Sequence, residues 1–556
     1  MTKFRKAKII IISIGIIFTM FSFVNSYLNL YIMRYQFGSL ENNDKVNLDN
    51  ENLETSGYWE LSSPIEINDH GTNNWTWAEG EAWFGGGNGT ISNPYILESI
   101  TIDVNKNFDN CIRIENSIKY FVIKNCTVLK ASLAGISLRN VSNSKIINNT
   151  AQDNDLVGIG LSNSNQNIIA NNTTYENLVG GIGLDNSHNN SISNNNAYLN
   201  NDYGIGLGDS SYNTISINEA TENDLGIGLL NSNNNNITSN VLSENDVGGV
   251  GSYNSNDNNL TDNIFNSNGI YGIGFNRCNY NLIKENRINH HSYYGISIEH
   301  GNYNNISENL VMNSDIHGIR IWNSDNNFIL ENTVQFNGGG GIYLQYSDYN
   351  KISKNIMYDN QNGIYQSSCD HNIISRNTMQ SNDWAGLELY VSTYTIISRN
   401  IVIDNYIGME ISYSNFNNIT DNTLDNTYNG ISVYYSYYTN ILGNTIDDHD
   451  NYGIYLLWST NIIIEMNTIS NNYVGIYRYY CSSIEITNNT FSGNNINIGV
   501  YTIPQFPFVL LISMIVITIV LVAGMSRIKR SLPLDFFEKK RLPPQETSPS
   551  EKFIEK

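Results

Sequence analysis

Cysteine is scarce, five in 556 residues, and so dispersed that the disulfide framework of a small secreted domain is excluded. Basic side chains are also few: 30 Lys and Arg stand against 52 Asp and Glu, a net charge of -22. Lys3, Arg5, Lys6 and Lys8 open the chain, and the segment after Gly524 carries eight basic and five acidic residues, so the stretch between holds about -29 by difference. A surface of that sign repels polyanions and excludes DNA or RNA as a partner, while it helps keep a long array in solution. Histidine is limited to eight residues, and His291, His300, His317 and His371 fall at unrelated places in the pattern described next. No cluster with metal-ligand geometry is visible, and no metal site is assigned.

What the chain has instead is a repeat. A glycine opens each unit at Gly135, Gly158, Gly181, Gly204, Gly226, Gly249, Gly272, Gly295, Gly318, Gly341, Gly363, Gly386, Gly408, Gly430, Gly453 and Gly475, always 22 or 23 residues apart. Eleven residues on lies an aliphatic residue, from Ile146 to Ile486. Fourteen on lies Asn in all sixteen units: Asn149, Asn172, Asn195, Asn218, Asn240, Asn263, Asn286, Asn309, Asn332, Asn355, Asn377, Asn400, Asn422, Asn444, Asn467 and Asn489. A degenerate seventeenth unit precedes them, with Cys111, Val122 and Asn125 expected in the same three columns. A period of this size is the mark of a solenoid.

Alternation within segments such as Gly158 to Leu161, where Ile159 and Leu161 are apolar and position 160 is not, predicts a strand with one buried face. A second short strand is expected around Ile169, with Gly, Asn, Asp and Ser at the corners. Strands this short need a neighbour, and stacking each on its equivalent one coil away, at roughly 4.8 Å, builds a continuous aliphatic core. The Asn column then becomes a ladder in which each buried amide is partnered by the next. A second ladder is expected nine residues after the glycine, from Asn167 to Asn372, and a column of small residues six after it, with Ser164, Ser187, Ser210, Ser232 and Ser255 joined by Cys278, Gly301, Cys369 and Cys481. These cysteines read as core residues; coils apart, they are too distant to bridge.

The recurring Gly-Ile-x-Leu-x-Asn-Ser, as in Gly226 to Ser232, and the opening Gly89-Thr90 with Asn93-Pro94-Tyr95-Ile96-Leu97-Glu98 resemble the right-handed parallel β-helix proteins with NosD-like or pectin-lyase-like repeats. The resemblance covers residues 90 to 500 and implies an all-β, single-stranded right-handed parallel β-helix of about 17 coils. It says little of function, since such folds host lyases, hydrolases, epimerases, adhesins and scaffolds. The NosD-like label implies an accessory role in copper-enzyme maturation. Asp447-Asp448-His449-Asp450 is similar to motifs of polygalacturonases and alginate epimerases, but the accompanying Asn-Thr-Asp and Gly-His-Gly are absent and the proline of the epimerase motif is missing. A turn is the better reading there.

Outside the repeat, the basic start and the apolar run from Ile9 to Val24 predict a signal peptide or signal anchor over 1–26. Residues 27–55 read as a polar linker, and 56–105, with Trp59, Trp75, Trp77 and Trp83, as a cap over the open end and the entry to the solenoid at 106–503. The apolar run from Phe508 to Ala523, followed by Arg527, Lys529 and Arg530, predicts a transmembrane helix over 506–525 and a cytoplasmic tail over 526–556. The expected topology is a cell-surface membrane protein with the β-helix outside. Asn125 and Asn172 form glycosylation sequons, yet as ladder residues they are expected to stay unmodified.

Candidate chemistry belongs to outward columns. Two residues after the glycine the first half is nearly featureless (Gly160, Gly183, Gly206, Gly228, Gly251, Gly274), whereas the second half has Arg320, Tyr343, Tyr365, Glu388, Glu410, Ser432, Tyr455 and Tyr477. Four residues after it come Trp322, Tyr390 and Tyr434. Aromatic rings with directional polar groups suit a polysaccharide or glycoconjugate, so Arg320, Trp322, Tyr343, Tyr365, Tyr390, Tyr434 and Tyr455 are the candidate ligand residues. Glu388 and Glu410 share a column one coil apart, the pairing that glycoside hydrolysis requires, and are the candidate catalytic pair. Asp262, Glu285, Glu308 and Glu331 form an acidic column, thirteen after the glycine, that calcium would relieve; Lys354, Arg376 and Arg399 continue it. Three readings stay open: binding, adhesion or envelope structure; an enzyme of polysaccharide; and the copper accessory role.

Overall fold

The computed structural model describes residues 59–501. Within them the chain winds into about eighteen turns of an all-β right-handed parallel helix. Each turn supplies one strand to each of three parallel sheets. The long-strand sheet holds six-residue strands such as Val157–Ser162 and Gly180–Asp185; the second and third hold three-residue strands such as Ile168–Ala170 and Thr173–Tyr175. Because equivalent residues recur at a nearly fixed interval, like pairs with like: Ile159 with Ile182, Ile169 with Ile192, and Thr174 with Ala197. The inward side chains, among them Ile159, Leu161 and Ile169, are wholly buried in one continuous aliphatic core.

The corners follow a rule. In the coil opened by Gly158 the chain turns at Asn163, Gln166, Asn171 and Glu176, whose φ values are 48°, 59°, 55° and 53°. This left-handed conformation is disfavoured for non-glycine residues, and the residue after each corner offsets the cost by turning inward into a ladder. Ser164 N–H donates to Ser187 Oγ at 3.0 Å, Asn167 N–H to Asn190 Oδ1 at 2.9 Å, Asn172 N–H to Asn195 Oδ1 at 3.0 Å and Asn177 N–H to Asn200 Oδ1 at 3.2 Å. Asn172 Nδ2 also donates to Asn195 Oδ1 and to the carbonyls of Ile146 and Ala170, at 2.9, 2.9 and 3.1 Å. The fourth ladder, nineteen residues after the glycine, was not anticipated. It includes Asn154, Asn177, Asn200, Asn223, Asn245 and Asn268, is interrupted by His291 and Ser314, resumes at Asn337, and is interrupted again by Thr427 and His449.

That ladder explains the glycine that opens each unit. A Cβ on Gly158 would lie 2.8 Å from the Gly181 carbonyl oxygen and 3.0 Å from Asn177 Nδ2, so the fourth ladder and the next coil together leave no room for a side chain. The cysteines are all free, and Cys278 and Cys369 are buried in the small-residue column as expected.

Two column assignments are corrected. In the degenerate unit Ile123, not Val122, pairs with Ile146, and Cys126, not Asn125, takes the ladder place, its N–H donating to Asn149 Oδ1 at 3.0 Å. One extra residue in that coil leaves Asn125 exposed at the corner, with φ 53°. Residues 59–98 supply the first coil: Trp59–Leu61 pairs with Ile100–Asp103 of the next coil, Ile65–Asn68 with Asn110–Glu115, and Tyr95–Glu98 with Phe121–Lys124. An excursion between them carries the short helix Trp75–Ala78, and Trp75 stacks on Tyr95 at 4.5 Å and packs against Phe121 at 5.2 Å.

The expected C-terminal transmembrane helix is also corrected. Among the described residues no helix is long and apolar enough to cross a membrane; the ordered segments are strands of three to six residues and one helix of four. Among the described residues the fold is an all-β helix without such an element, and the expected single-pass, membrane-anchored cell-surface localisation is unsupported with it. The runs Ile9 to Val24 and Phe508 to Ala523 lie outside the described residues.

Candidate functional site

The outer face of the long-strand sheet divides into two parts. In the first half, the glycine column two after each opening glycine does not lie bare. Tyr203 and Tyr271, which precede opening glycines, fold their rings flat across it: a Cβ on Gly206 would meet the Tyr203 ring at 2.6 Å, and one on Gly274 the Tyr271 ring at 2.6 Å. With Leu156, Leu225, Leu230 and Tyr294 they make a second apolar cluster on the outside of the coil. At Gly206 and Gly274 the missing side chain makes room for a ring.

At the centre lies Arg320, only 3% exposed. Its Nη1 pairs with Glu299 and donates to Ser297 Oγ at 3.0 Å, and its guanidinium lies 4.8 Å from the Tyr294 ring centre and 5.2 Å from that of Trp322. A buried arginine persists only with such partners. His317 stacks between Tyr294 and Tyr343, at 6.0 and 4.2 Å, and its Nδ1 accepts the Gly340 N–H at 2.9 Å. Burial and the Arg320 charge push its pKa down to about 3, so the ring is neutral. Arg320 therefore builds the wall of the face, while Trp322 and Tyr343 remain partly accessible; Tyr343 Oη donates to Gln345 Oε1 at 2.9 Å.

Beyond Tyr343 the column runs Tyr365, Glu388, Glu410, Ser432, Tyr455, one per coil and in register. Glu388 accepts from Asn362 Nδ2 at 2.8 Å and Glu410 from Ser412 Oγ at 3.1 Å. Both carboxylates are half-buried. Burial raises the Glu410 pKa, while hydrogen bonds from Ser412 and Trp384 pull it the other way. Burial, followed by the Glu388 charge, pushes the Tyr365 hydroxyl up to about 12. Tyr390, 42% exposed, and half-buried Tyr434 flank the pair; Tyr434 meets Tyr455 edge-on at 5.7 Å, and Tyr455 stacks on Tyr477 at 5.9 Å. The arrangement offers two adjacent hydrogen-bond acceptors in a frame of rings.

Three exposed aromatic columns escaped the sequence reading although each keeps a fixed spacing from the glycine. Two residues before it, Trp384 meets Tyr406 at a tilt, 5.3 Å away, and Tyr406 stacks on Tyr428 at 5.4 Å. Tyr413 and Tyr435, five after it, stack at 5.0 Å. Eight after it, Tyr349, His371, Tyr394, Phe416 and Tyr438 form an unbroken stack.

The acidic column has resident cations. Lys284 Nζ lies 3.0 Å from Glu285 and 3.4 Å from Glu308, and Lys354 Nζ 2.7 Å from Glu331, so lysines supply there the charge expected of calcium. His291 and His449 are each buried singly, and His317 is partly accessible between its two rings. Among the described residues no group of three or more His, Cys, Asp or Glu is placed to hold a metal ion.

The coil, its four ladders and its three sheets define a parallel β-solenoid. The right-handed β-helix region profile matches in overlapping stretches, 84–224, 135–281, 200–334, 271–424, 317–469 and 380–503, and the chain belongs to that family. No curated protein sequence matches it. Among solved structures it is similar to the Dettilon tailspike protein gp208 at 15% identity, covering 49% of this chain and 62% of that one with a TM-score of 0.38; this chain thus spans less than two thirds of the tailspike's length. It is similar to a mutant of the periplasmic alginate epimerase AlgG at 15% identity, covering 73% and 78% with a TM-score of 0.28. It also resembles the DFA-IIIase of Arthrobacter chlorophenolicus A6 without its lid, at 13% identity, covering 57% and 94% with a TM-score of 0.33.

Proposed function

We propose that the protein is a binding protein, in adhesion or envelope structure, whose long-strand face holds an extended carbohydrate chain over the coils from Gly341 to Gly475. The observation that carries this reading is the in-register pair Glu388 and Glu410, half-buried among Tyr365, Tyr390 and Tyr434. Sugars have apolar C–H faces that lie on aromatic rings and hydroxyls that donate to carboxylates. One functional side chain per coil, at roughly 4.8 Å, lets a polymer running along the axis meet a contact at each step. Arg320 supports the face from beneath rather than touching the ligand.

A second reading, polysaccharide cleavage with Glu410 as proton donor and Glu388 as its partner carboxyl, is favoured by one fact: burial raises the Glu410 carboxyl, the condition a general acid needs. One experiment separates them. The purified chain is incubated with neutral and anionic polysaccharides, with and without calcium, and both retention and chain length are followed. Retention without shortening, lost in Tyr390→Ala and Tyr434→Ala, supports binding. Shortening that vanishes in Glu410→Gln or Glu388→Gln supports the enzyme, and retention unchanged by all four substitutions refutes the site.

A further inference from the structure

A groove of about 760 Å³ lies away from the long-strand face, at the corner leading into the second sheet, lined by Tyr394, Phe416, Tyr438, Asn440, Asn461 and Glu485 among others. Its position follows from a change in the repeat. Beneath the aromatic stack the inward ladder reads Asn372, Thr395, Asn417 and then Thr439, Ile462 and Ile484, so the amides that hold the corner run out. Thr439 Oγ1 is buried without a hydrogen-bond partner. There the three-residue strand of the second sheet lengthens from Asn440–Leu442 to Thr460–Glu465 and Ser482–Thr487, paired over five positions. Asn461 and Ser483 keep the left-handed conformation of the corner, with φ of 55° and 53°, and the groove lies along them.

The aromatic stack stops at the same place. Tyr349, His371, Tyr394, Phe416 and Tyr438 follow one another at 4.9, 4.8, 4.9 and 5.0 Å with interplanar angles of 16°, 13°, 5° and 2°. The next two coils put Asn461 and Ser483 in that column, so the stack ends on Tyr438, 52% exposed, with no ring beyond it. Asn440 Nδ2 donates to Asn418 Oδ1 at 2.7 Å, and that amide row also ends, at Ile463. The groove is thus floored by aliphatic side chains, bounded by a ring, and edged with amides, a hydroxyl and one carboxylate, Glu485.

We propose that this groove is a second ligand site, which binds a neutral oligosaccharide by placing a sugar ring on Tyr438 in the position of the missing sixth ring. A saturated sugar ring presents a flat apolar face of the right extent, and its hydroxyls find partners in Asn440, Asn461, Ser483 and Glu485. No Lys or Arg lines the groove and the chain carries -22, so an anionic glycan is disfavoured. The volume lies within the range of about 300–1,000 Å³ of small-molecule sites. This site stands on observations separate from those behind the long-strand face.

The full chain is titrated calorimetrically with cellohexaose, maltohexaose and xylohexaose. Asn461→Tyr extends the stack and fills the groove with a residue that the same corner accepts in the two preceding coils as Tyr438 and Phe416. Tyr438→Asn removes the platform and places at the corner a residue tolerant of positive φ. At least one hexaose is expected to bind, with affinity lowered about tenfold or more in both variants, unchanged in Ile264→Thr, an exposed position outside both faces, and with the melting temperature preserved. Wild type that binds none of the three, or Asn461→Tyr that binds as wild type does, overturns the proposal. Loss in Tyr390→Ala alone also overturns it while leaving the long-strand face standing.

Discussion

The ladders make the sharpest prediction, and Asn263→Ala is its clearest case. In the native coil Asn263 Oδ1 accepts the N–H and one Nδ2 hydrogen of Asn240, each at 3.0 Å. Its own Nδ2 donates to the carbonyls of Ile237 and Thr261 and to Asn286 Oδ1, at 2.9, 3.1 and 3.0 Å. Asn263 is 1% exposed, so water does not replace these bonds without a structural opening. Four hydrogens lose a partner or an origin; at about 1 kcal/mol net for each bond, rising where a buried partner is stranded, the loss is about 4 kcal/mol, with a floor near 3. A solenoid responds coil by coil, so the informative readout is hydrogen exchange at the Asn240 amide rather than a global melt. With about 1.4 kcal/mol per tenfold, that amide exchanges roughly 100-fold faster or more, while amides several coils away change little. The control is Ile264→Thr, one residue on and 43% exposed, expected to leave Asn240 unaffected. Asn240 exchange in Asn263→Ala within threefold of wild type refutes the ladder as the device that holds the corner.

Gly181→Ala is expected to disrupt its coil, because the new Cβ would fall 2.4 Å from Thr174 Oγ1 and 2.6 Å from the Gly204 carbonyl oxygen; a melting curve matching wild type would contradict the packing. Cys481, half-buried, is expected to react with iodoacetamide in the native chain before Cys278, whose thiol burial pushes up to about 11 and encloses completely, and peptide mapping gives the order. Burial depresses the pKa of His291 and His449 to about 4 and, with Arg320, that of His317 to about 3. Between those values and the ordinary 6.5 the unfolded chain binds protons that the folded chain refuses, so stability is full above about 6.5 and falls as pH drops toward 4, by up to about 1.4 kcal/mol per pH unit for each histidine. His291→Asn, which restores the usual ladder residue, flattens that dependence by one histidine's share in urea titrations at pH 4.5 and 7.

The coil was legible because its constraints fall on single residue types. A position that meets the next coil's backbone must be Gly, one that turns inward at a corner must be small or an amide, and an inward strand position must be aliphatic; each leaves a column in the sequence. The fourth ladder was equally present at Asn154, Asn177 and Asn200 but lay behind a corner residue that varies, Asp153, Glu176 and Leu199. The slip at Asn125 came from one inserted residue, which composition cannot reveal but pairing with Asn149 does. Arg320 stands outward on its strand, a position the pattern equates with solvent, yet it is 3% exposed. Its burial depends on Glu299 and Tyr294 from the preceding coil and on its own coil's Trp322, a relation between columns rather than within one.

Because the inward and corner positions are fixed by winding, whatever varies along the array is free of the fold and reports on something else. The outward columns change character near Arg320: rings folded over glycines and the exposed pair Tyr280 and Tyr303 before it, longer exposed stacks and a paired carboxylate after it. Winding alone gives no reason for that asymmetry, since both halves bury the same aliphatic core and carry the same Asn ladder fourteen residues after each glycine. Nor is strand preference for tyrosine sufficient, for the stacked residues Tyr394, Phe416 and Tyr438 sit at corners in the left-handed conformation, with φ of 52°, 58° and 56°, where bulky residues are least favoured. Placing rings at strained, exposed corners costs folding free energy, and a cost repeated over consecutive coils points to a use that the fold itself does not supply.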